Sequence, residues 1–251
     1  MELLKGKTAI VYGGSGKLGS AIAAGLHDHG ANVAIHYFSN SAHAESLAAR
    51  LDASGVSVMT VRADSTDEAS LTTAVAAVQR RFGTVDIVVN AIHGPFEPVN
   101  VYDSAQNVWN VHLDGLMSEY LTSRTALPVM RAQGGGRIIY ISAAMAVRYG
   151  EGCAMYTAIK RGMNGFCRTL AMEEARHNIL VNIVCPGGVS DAETQSGGDW
   201  DEMTKAFIAR CPLGRFATSQ EIANTVVYFA SPLADGITGQ TLYVSGGEIM
   251  L

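Results

Sequence analysis

Tyr156 and Lys160 stand four residues apart in the segment CAMYTAIKRG (153–162), which has a helical pattern. Side chains at positions i and i+4 lie on one face of a helix. A free phenol has a pKa of about 10, and a nearby ammonium favours its ionised form. The pair is therefore suited to exchanging a proton with a substrate oxygen. The alternative interpretation is an ordinary helix with a half-buried tyrosine and an exposed lysine. Other motifs in the chain are needed to choose between these two interpretations.

A glycine-rich segment near the start of the chain is the second feature with chemical meaning. Gly14, Gly16 and Gly19 form a G-x-G-x-x-G pattern in VYGGSGKLGSAIA, which follows a strand-like run and opens a helical one. Glycines let the backbone approach a pyrophosphate, and the N-terminus of the following helix attracts its charge. The segment predicts a dinucleotide site; a tight turn is the alternative.

The end of the second strand-like run bears on which dinucleotide binds. An acidic residue about 20 positions after the loop is typical of NAD sites, because it binds the ribose 2′-hydroxyl. Residues 36–41 read HYFSNS and contain neither an acid nor an arginine. The groups that can hydrogen-bond a 2′-phosphate there are Tyr37, Ser39, Asn40 and Ser41. Because Lys17 adds positive charge near the phosphates, we expect NADP(H) ahead of NAD(H).

Short apolar runs alternate with helical patterns along the whole chain. Seven runs read as strands: 7–13, 31–38, 56–64, 85–91, 136–143, 179–187 and 240–247. Their apolar residues are continuous, which is typical of strands buried on both faces of a parallel sheet. The pattern predicts an α/β fold in which residues 1–251 form a single Rossmann-type doubly wound domain, with a seven-stranded parallel sheet flanked by helices.

Composition and charge exclude several classes of function. The net charge is −5 and no basic run is present, so we expect no nucleic-acid partner. No apolar stretch is long enough to cross a bilayer and the N-terminus does not read as a signal peptide, so we expect no membrane association. No set of His, Cys and Asp has a zinc-like spacing, which predicts no metal site. A cytoplasmic protein with reduced thiols is expected because its four cysteines are scattered: Cys153, Cys167, Cys185 and Cys211.

The segment 188–217 differs in character from the rest of the chain. It is polar and punctuated by glycine, and it follows the sixth strand-like run. Ligands of open α/β sheets bind at the carboxyl ends of the strands. We therefore interpret 188–217 as a candidate substrate lid.

Taken together, these motifs resemble the classical short-chain dehydrogenase/reductase family. The resemblance covers essentially the whole chain and includes the glycine loop, YTAIK (156–160), PGGV (186–189), DIVVN (86–90) and ITGQTLYVSGG (237–247). It implies an NAD(P)-dependent oxidoreductase that interconverts a carbonyl and an alcohol on a small molecule by hydride transfer. It also implies a homotetramer or homodimer.

The resemblance assigns roles to individual residues. It implies that Tyr156 is the acid–base residue and that Lys160 lowers its pKa and holds the nicotinamide ribose. Asp64 is a plausible partner of the adenine amino group, with capping of the helix near Asp67 as the alternative. The full cofactor set that we expect is Gly13, Ser15, Lys17, Leu18, Gly19, Tyr37, Ser39, Asn40, Ser41, Asp64, Ser65, Asn90, Ala91, Tyr156, Lys160, Pro186, Gly187 and Val189.

The chain departs from the family pattern on the substrate side. The family has a serine 13 positions before the tyrosine, and that position is Ala143 here. Ser142 replaces it only if the strand ends or bulges there, or if the following loop holds one extra residue, because neighbouring strand residues point to opposite faces. The asparagine of the fourth helix, which supports the lysine through water in the family, aligns with His112. That histidine has two interpretations, a catalytic one and a buried structural one. His93 and Ile159 are further departures.

These departures leave other functions open. One alternative is a dinucleotide-binding protein with weak or no dehydrogenase activity, which Ala143, His93 and Ile159 favour. Another is dehalogenase or lyase chemistry on the same fold, which the glycine loop and Lys160 oppose. The substrate and the direction of reaction do not follow from the sequence.

Overall fold

The computed structural model of the protein describes residues 2–94, 96–190 and 202–251, and a parallel sheet runs through their centre. Its seven strands lie in the order β3-β2-β1-β4-β5-β6-β7. They are β1 (Thr8–Tyr12), β2 (Asn32–Tyr37), β3 (Val58–Arg62), β4 (Ile87–Asn90), β5 (Gly136–Ile141), β6 (Ile179–Pro186) and β7 (Thr241–Val244). Every neighbouring pair is parallel. The predicted doubly wound α/β fold is confirmed.

Helices connect the strands and cover both faces of the sheet. In the described parts of the chain they are α1 (Lys17–Asp28), α2 (Ser41–Leu51), α3 (Glu68–Phe82), α4 (Gln106–Ala132), α5 (Ala154–Glu174), α6 (Glu202–Ile208) and α7 (Ser219–Ala230). Local sequence fixes several of their ends. The Asp67 side chain caps the N-terminus of α3, and Thr218 forms a capping box with Glu221 at the start of α7.

The strands are apolar throughout because each face of the sheet carries its own core. Along β1, Ala9 and Val11 point into a core that includes α1 and α7. Ile10 and Tyr12 point into a second core on the other face, formed with α3, α4 and α5. Side chains alternate between the two faces of the sheet, as in any strand, but here both faces are buried.

The strand order places a crevice where the candidate site is expected. β1 lies between β2 and β4, so the chain winds in opposite directions on its two sides. At such a switch point the loops that follow adjacent strands separate, and ligands of open α/β sheets bind there. The glycine loop follows β1, and the loop after β4 leads towards α4. Within the described ranges, no helix has the length and hydropathy needed to cross a membrane.

The candidate lid lies only in part within the described residues. Val189 pairs with Ala217 in an isolated parallel bridge, so the two ends of the segment meet. α6 forms its second half. Residues 191–201 fall outside the described residues, and the lid stays a prediction.

Candidate active site

The glycine loop folds tightly between β1 and α1. Gly13 has φ +73°, a conformation that other residues rarely adopt. A Cβ on Gly19 would lie 2.1 Å from the Gly13 carbonyl oxygen, so only glycine fits there. Gly16 is the N-cap of α1, with no side-chain capping bond and no acid in the first turn. The helix N-terminus therefore presents its partial positive charge to the groove.

His36 fixes this loop to the neighbouring strands. Its Nδ1 accepts from the Gly13 backbone N–H at 3.1 Å, and its Nε2 donates to the Ala63 carbonyl at 3.0 Å. Burial lowers the pKa of His36 to about 4, so the ring is neutral and keeps this pattern of donor and acceptor. Sequence reasoning missed this role; the available signal was a polar ring in the middle of an apolar strand.

A groove of about 690 Å³ lies in front of the glycine loop and the ends of β2 and β3. It is the predicted dinucleotide groove, and many of the expected cofactor residues line it. These are Gly13, Ser15, Lys17, Leu18, Gly19, Tyr37, Ser39, Asn40, Asp64, Ser65 and Ala91. The remaining members of the expected set do not line this groove: Ser41, Asn90, Tyr156, Lys160, Pro186, Gly187 and Val189.

Asn90 has a structural position behind the groove. Its Nδ2 donates to Thr122 Oγ1 at 3.1 Å and its Oδ1 accepts from the Ile92 N–H at 3.0 Å. It ties the end of β4 to α4. Pro186 ends β6, and the Gly187 N–H donates to the Val244 carbonyl at 3.0 Å.

Two basic side chains from other elements contact residues that line the groove, and neither was predicted from the sequence. Arg62, the last residue of β3, donates from Nε to the Phe38 carbonyl at 3.2 Å and lies over the Phe38 ring. His43 of α2 donates from Nδ1 to the Ser15 carbonyl at 2.6 Å. No arginine follows β2 in sequence, but one stands beside its end in space.

Asp64 sits at the edge of the same groove. Its Oδ1 accepts from the Thr66 N–H at 2.9 Å and from the Thr66 hydroxyl at 2.7 Å, and these bonds lower its pKa. The residue that caps α3 is Asp67, whose side chain accepts from the Ala69 N–H. Asp64 is thus an ionised carboxylate at the groove rather than the helix cap.

Tyr156 and Lys160 lie together on α5, as their spacing predicts. The Lys160 ammonium is 5.8 Å from the centre of the Tyr156 ring. It donates a long hydrogen bond, 3.4 Å, to the Ile141 carbonyl at the end of β5. The pair is therefore held at the carboxyl edge of the sheet.

Three rings surround the Tyr156 phenol. Phe96 lies 4.5 Å away, His112 of α4 5.7 Å and His93 6.1 Å, measured between ring centres. Burial, with a smaller effect of the Lys160 charge, lowers the pKa of both histidines. His93 also lines the dinucleotide groove, so it stands between groove and phenol. The sequence placed His112 here by alignment, but it gave no role to His93 or Phe96.

The expected lowering of the Tyr156 pKa is wrong for the structure as it stands. Burial raises the pKa of Tyr156 to about 12, with smaller contributions from the Cys185 and Cys153 thiols. The Lys160 ammonium is itself fully buried, and burial lowers its pKa. The cost of placing a charge in a dry site outweighs the attraction between the two groups.

Ser142 and Ala143 face opposite sides of the strand end. The Ser142 N–H continues the ladder to the Val184 carbonyl at 2.9 Å, so no bulge turns it. Its hydroxyl is buried and faces the Cys185 thiol. Ala143, extended at φ −154°, has no polar side chain to offer. The position of the family serine thus carries no hydroxyl in this chain.

The residues present fit a dinucleotide. The glycines leave no room for a Cβ where the loop is packed, the open end of α1 suits a pyrophosphate, and polar side chains follow the groove towards Tyr156. Within the part of the chain that the structure describes, no cluster of His, Cys, Asp or Glu is arranged to hold a metal ion. The fold and this site define an NAD(P)-binding oxidoreductase of the Rossmann type.

Comparisons with known proteins agree with that class. A family model described as Enoyl-(Acyl carrier protein) reductase matches residues 15–248. The chain is 33% identical to L-rhamnose 1-dehydrogenase (NAD(P)(+)) of Sphingomonas sp. (strain SKA58), over 98% of each chain. It is 34% identical to 3-oxoacyl-(acyl-carrier-protein) reductase FabG of Escherichia coli (strain K12), over 98% of this chain and 99% of that protein.

Solved structures give the same result. A short-chain dehydrogenase/reductase from Serratia marcescens BCRC 10948 superposes with a TM-score of 0.88 at 34% identity, over 98% of this chain and 99% of that one. A gluconate 5-dehydrogenase from Burkholderia cenocepacia J2315, in complex with NADP and tartrate, has a TM-score of 0.87 at 26% identity, over 98% and 96%. The protein belongs to the short-chain dehydrogenase/reductase family, whose members are NAD(P)-dependent oxidoreductases acting on CH–OH groups.

Proposed function

We propose that the protein is an NADP(H)-preferring carbonyl reductase or alcohol dehydrogenase acting on a small molecule. The observation that carries the proposal is the position of Tyr156 and Lys160, side by side on α5 at the carboxyl edge of the sheet, with His93 linking the phenol to the groove. His93 belongs both to the groove and to the rings around the phenol, so cofactor and substrate would meet at that point.

The proposed chemistry places the proton on Tyr156. In the direction of reduction, its hydroxyl donates a proton to the carbonyl oxygen while a hydride reaches the carbonyl carbon; oxidation runs the same steps in reverse. A nicotinamide cofactor, when bound, supplies or accepts that hydride. Lys160 stabilises the phenolate that proton transfer leaves behind and binds the ribose. His112 stands beside the pair on α4 and helps to return the proton.

The second hydrogen bond to the substrate oxygen is the weak point of this arrangement. Ala143 has no donor, and Ser142 faces away from it along the strand. The imidazoles of His93 and His112 remain near the phenol, and a neutral imidazole has one N–H to donate. We expect the site to turn over more slowly than one with a serine at position 143.

The preference for NADP(H) rests on charge at the far end of the groove. Ser39 and Asn40 can bond a 2′-phosphate, while Arg62 brings positive charge from β3 beside Phe38. The end of β2 carries no acid that would repel the phosphate.

We also propose a homodimer or homotetramer. The outward face of α4 carries large apolar side chains, each between 38% and 47% exposed: Trp109, Leu113, Met117 and Tyr120. Such a row on a single surface is typical of a contact between subunits. The reduced, buried cysteines are consistent with a cytoplasmic protein.

Fluorescence titration with NADPH and NADH, followed by NADPH-oxidation assays on a panel of aldehydes and ketones, tests the function. We expect NADPH to bind more tightly than NADH and at least one carbonyl to be reduced. Binding of neither cofactor would contradict the proposal.

A second candidate function is cofactor binding with little or no turnover. The observations that favour it are the missing donor at Ala143 and the raised pKa of Tyr156. It predicts tight NADPH binding together with no oxidation above the background on every carbonyl of the panel.

A further inference from the structure

Glu119 is a buried acid on α4 that the proposed chemistry does not use. It is 1% exposed, and neither of its carboxyl oxygens has a hydrogen-bond partner among the described residues. Buried carboxylates in folded proteins are almost always paired, because an isolated charge in a dry interior costs several kcal/mol. A carboxyl with no such partner either stays protonated or needs an opposite charge close by.

Lys160 is the buried cation of the neighbouring helix, and no direct ion pair or hydrogen bond joins it to Glu119 in this structure. It is 5% exposed and lies on α5, the helix that packs against α4. Its hydrogen bond to the Ile141 carbonyl is long, 3.4 Å, and leaves most of its donor capacity unused. Burial raises the pKa of Glu119 and the Lys160 charge opposes that rise. Burial likewise lowers the pKa of Lys160, and the Glu119 charge opposes that fall.

The other titratable groups around Glu119 stay neutral. Tyr140 of β5 and Cys167 of α5 face it, and burial raises the pKa of both. The Tyr140 hydroxyl is already hydrogen-bonded to Ser123. Neither group can balance a carboxylate, whereas the Lys160 ammonium can.

Lys160 faces a similar set of groups on its other sides. Tyr156 and Cys185 are neutral at ordinary pH because burial raises the pKa of each. His93 and His112 are neutral or cationic rings and supply no negative charge, and burial lowers the pKa of both. Burial raises the pKa of Glu119 to about 8, so among these groups Glu119 becomes an anion at the lowest pH.

A second buried glutamate shows how the same fold treats an acid that has only a structural role. Glu174, at the end of α5, is also 1% exposed. Arg131 binds it with two hydrogen bonds, one of them 2.8 Å from Nε to Oε2. These bonds lower the pKa of Glu174. Glu119 has no such arginine, and its charge is left to act on the lysine of the candidate site.

We propose that Glu119 is the internal counter-charge of Lys160, a positioning residue that keeps the ammonium protonated behind Tyr156. The role in catalysis rests on the proposed function, but the pairing of the two charges does not. A lysine buried on all sides tends to lose its proton, and a neutral lysine would no longer stabilise a phenolate. Glu119 would therefore widen the pH range over which Lys160 can act.

Thermal unfolding of Glu119→Gln, Lys160→Met and the double variant, between pH 5 and 9.5, tests the pairing without a substrate. Each single change leaves the other charge buried alone, so we expect each to lower the Tm by roughly 5–15 °C. The double variant removes both charges and should be more stable than either single variant. If a single variant does not fold, a folded double variant is still the predicted result.

The two single variants should also differ in their dependence on pH. In Glu119→Gln the folded-state pKa of Lys160 lies further below its unfolded value. The loss of stability from burying the protonated lysine is therefore greatest at low pH and shrinks as pH rises. In Lys160→Met the folded-state pKa of Glu119 lies further above its unfolded value. The loss of stability from burying the ionised carboxylate is therefore small at low pH and grows as pH rises. Opposite slopes of Tm against pH, relative to the wild type, are the signature of the pair.

Glu174→Gln is the matched control, because it removes an equally buried carboxylate from the same layer of helices. Its effect on Tm should add to that of Lys160→Met. If Glu119→Gln is equally additive with Lys160→Met, or if the double variant is less stable than both singles, the proposal is overturned.

A substrate from the carbonyl panel adds a catalytic readout. For oxidation of the corresponding alcohol, Glu119→Gln should move the alkaline fall of kcat/KM about one to three pH units lower, while Glu174→Gln leaves it in place. An unchanged profile would remove the catalytic role of Glu119. Absence of all turnover would count against the proposed function and leave the stability test of the pair intact.

Discussion

The two halves of the candidate site differ in how their polar groups are held. In the dinucleotide half, His36 makes two hydrogen bonds to backbone groups, and Asp64 accepts two from Thr66. In the catalytic half, Lys160 has one long hydrogen bond and Glu119 has none among the described residues. Tyr156 is enclosed by rings and has a raised pKa.

This difference shows that the polar groups of the dinucleotide half are held in place by the folded chain itself, whereas those of the catalytic half are not. The dinucleotide half is preorganised, because its loop conformation is fixed by glycines and by a neutral histidine. The catalytic half keeps charges in a dry environment, where burial dominates their pKa values. Unfavourable buried charge is a common mark of a functional centre, whereas satisfied hydrogen bonds are typical of a framework.

Replacement of Tyr156 by phenylalanine should have the largest effect. It removes the proton donor but keeps the ring, so we expect reduction of any accepted carbonyl to fall about 10²–10⁴-fold while NADPH binds as before. Steady-state kinetics and fluorescence titration on one preparation measure both. Turnover that survives the change would show that the catalytic half has another acid.

Gly19→Ala should have the next largest effect, on the dinucleotide half. The added Cβ would lie 2.1 Å from the Gly13 carbonyl, so the loop has to move away from its position at the start of α1. We expect NADPH to bind at least tenfold more weakly. Gly236→Ala is the control, since nothing lies within 4 Å of a Cβ there. Equal affinities of the two variants would contradict the packing argument.

Ala143→Ser sharpens the comparison from the catalytic side. A hydroxyl at this position would supply the missing hydrogen bond to the substrate oxygen, and we expect kcat to rise about tenfold, since loss of such a donor elsewhere costs 10²–10³. Ser142→Ala is the paired control and should change kcat little, because its hydroxyl faces Cys185. A reversed outcome would assign the donor to Ser142.

Arg62→Ala should have a smaller and more selective effect. Loss of the guanidinium beside Phe38 should weaken NADPH binding several-fold and leave NADH binding unchanged, because only NADPH carries the 2′-phosphate. Competition titrations with both cofactors measure the ratio. A parallel loss for both cofactors would mean that Arg62 only supports the fold.

Local patterns predicted a large part of this molecule. The continuous apolar runs predicted the seven strands, and the four-residue spacing placed Lys160 beside Tyr156, because helix geometry is set by the backbone alone. The glycine spacing predicted the groove in front of the loop between β1 and α1, because only glycine fits where that loop packs so closely.

What the sequence did not predict depends on contacts between distant residues. Arg62 reaches Phe38 from the neighbouring strand. The pKa of Tyr156 was predicted with the wrong sign, because a pattern shows the neighbouring charge but not the depth of burial. The sequence left open whether Ser142 replaces the family serine, because the direction of its side chain depended on whether β5 bulges.

The central claim is that the dinucleotide groove and the Tyr156–Lys160 pair form one site. A crystal structure of the protein with NADP(H) measures this directly, through the distance from the nicotinamide ring to the Tyr156 hydroxyl. We expect the nicotinamide ring to lie in contact with the Tyr156 phenol and the Lys160 ammonium to lie within hydrogen-bonding distance of the adjoining ribose. A dinucleotide bound with its nicotinamide remote from Tyr156 would contradict it.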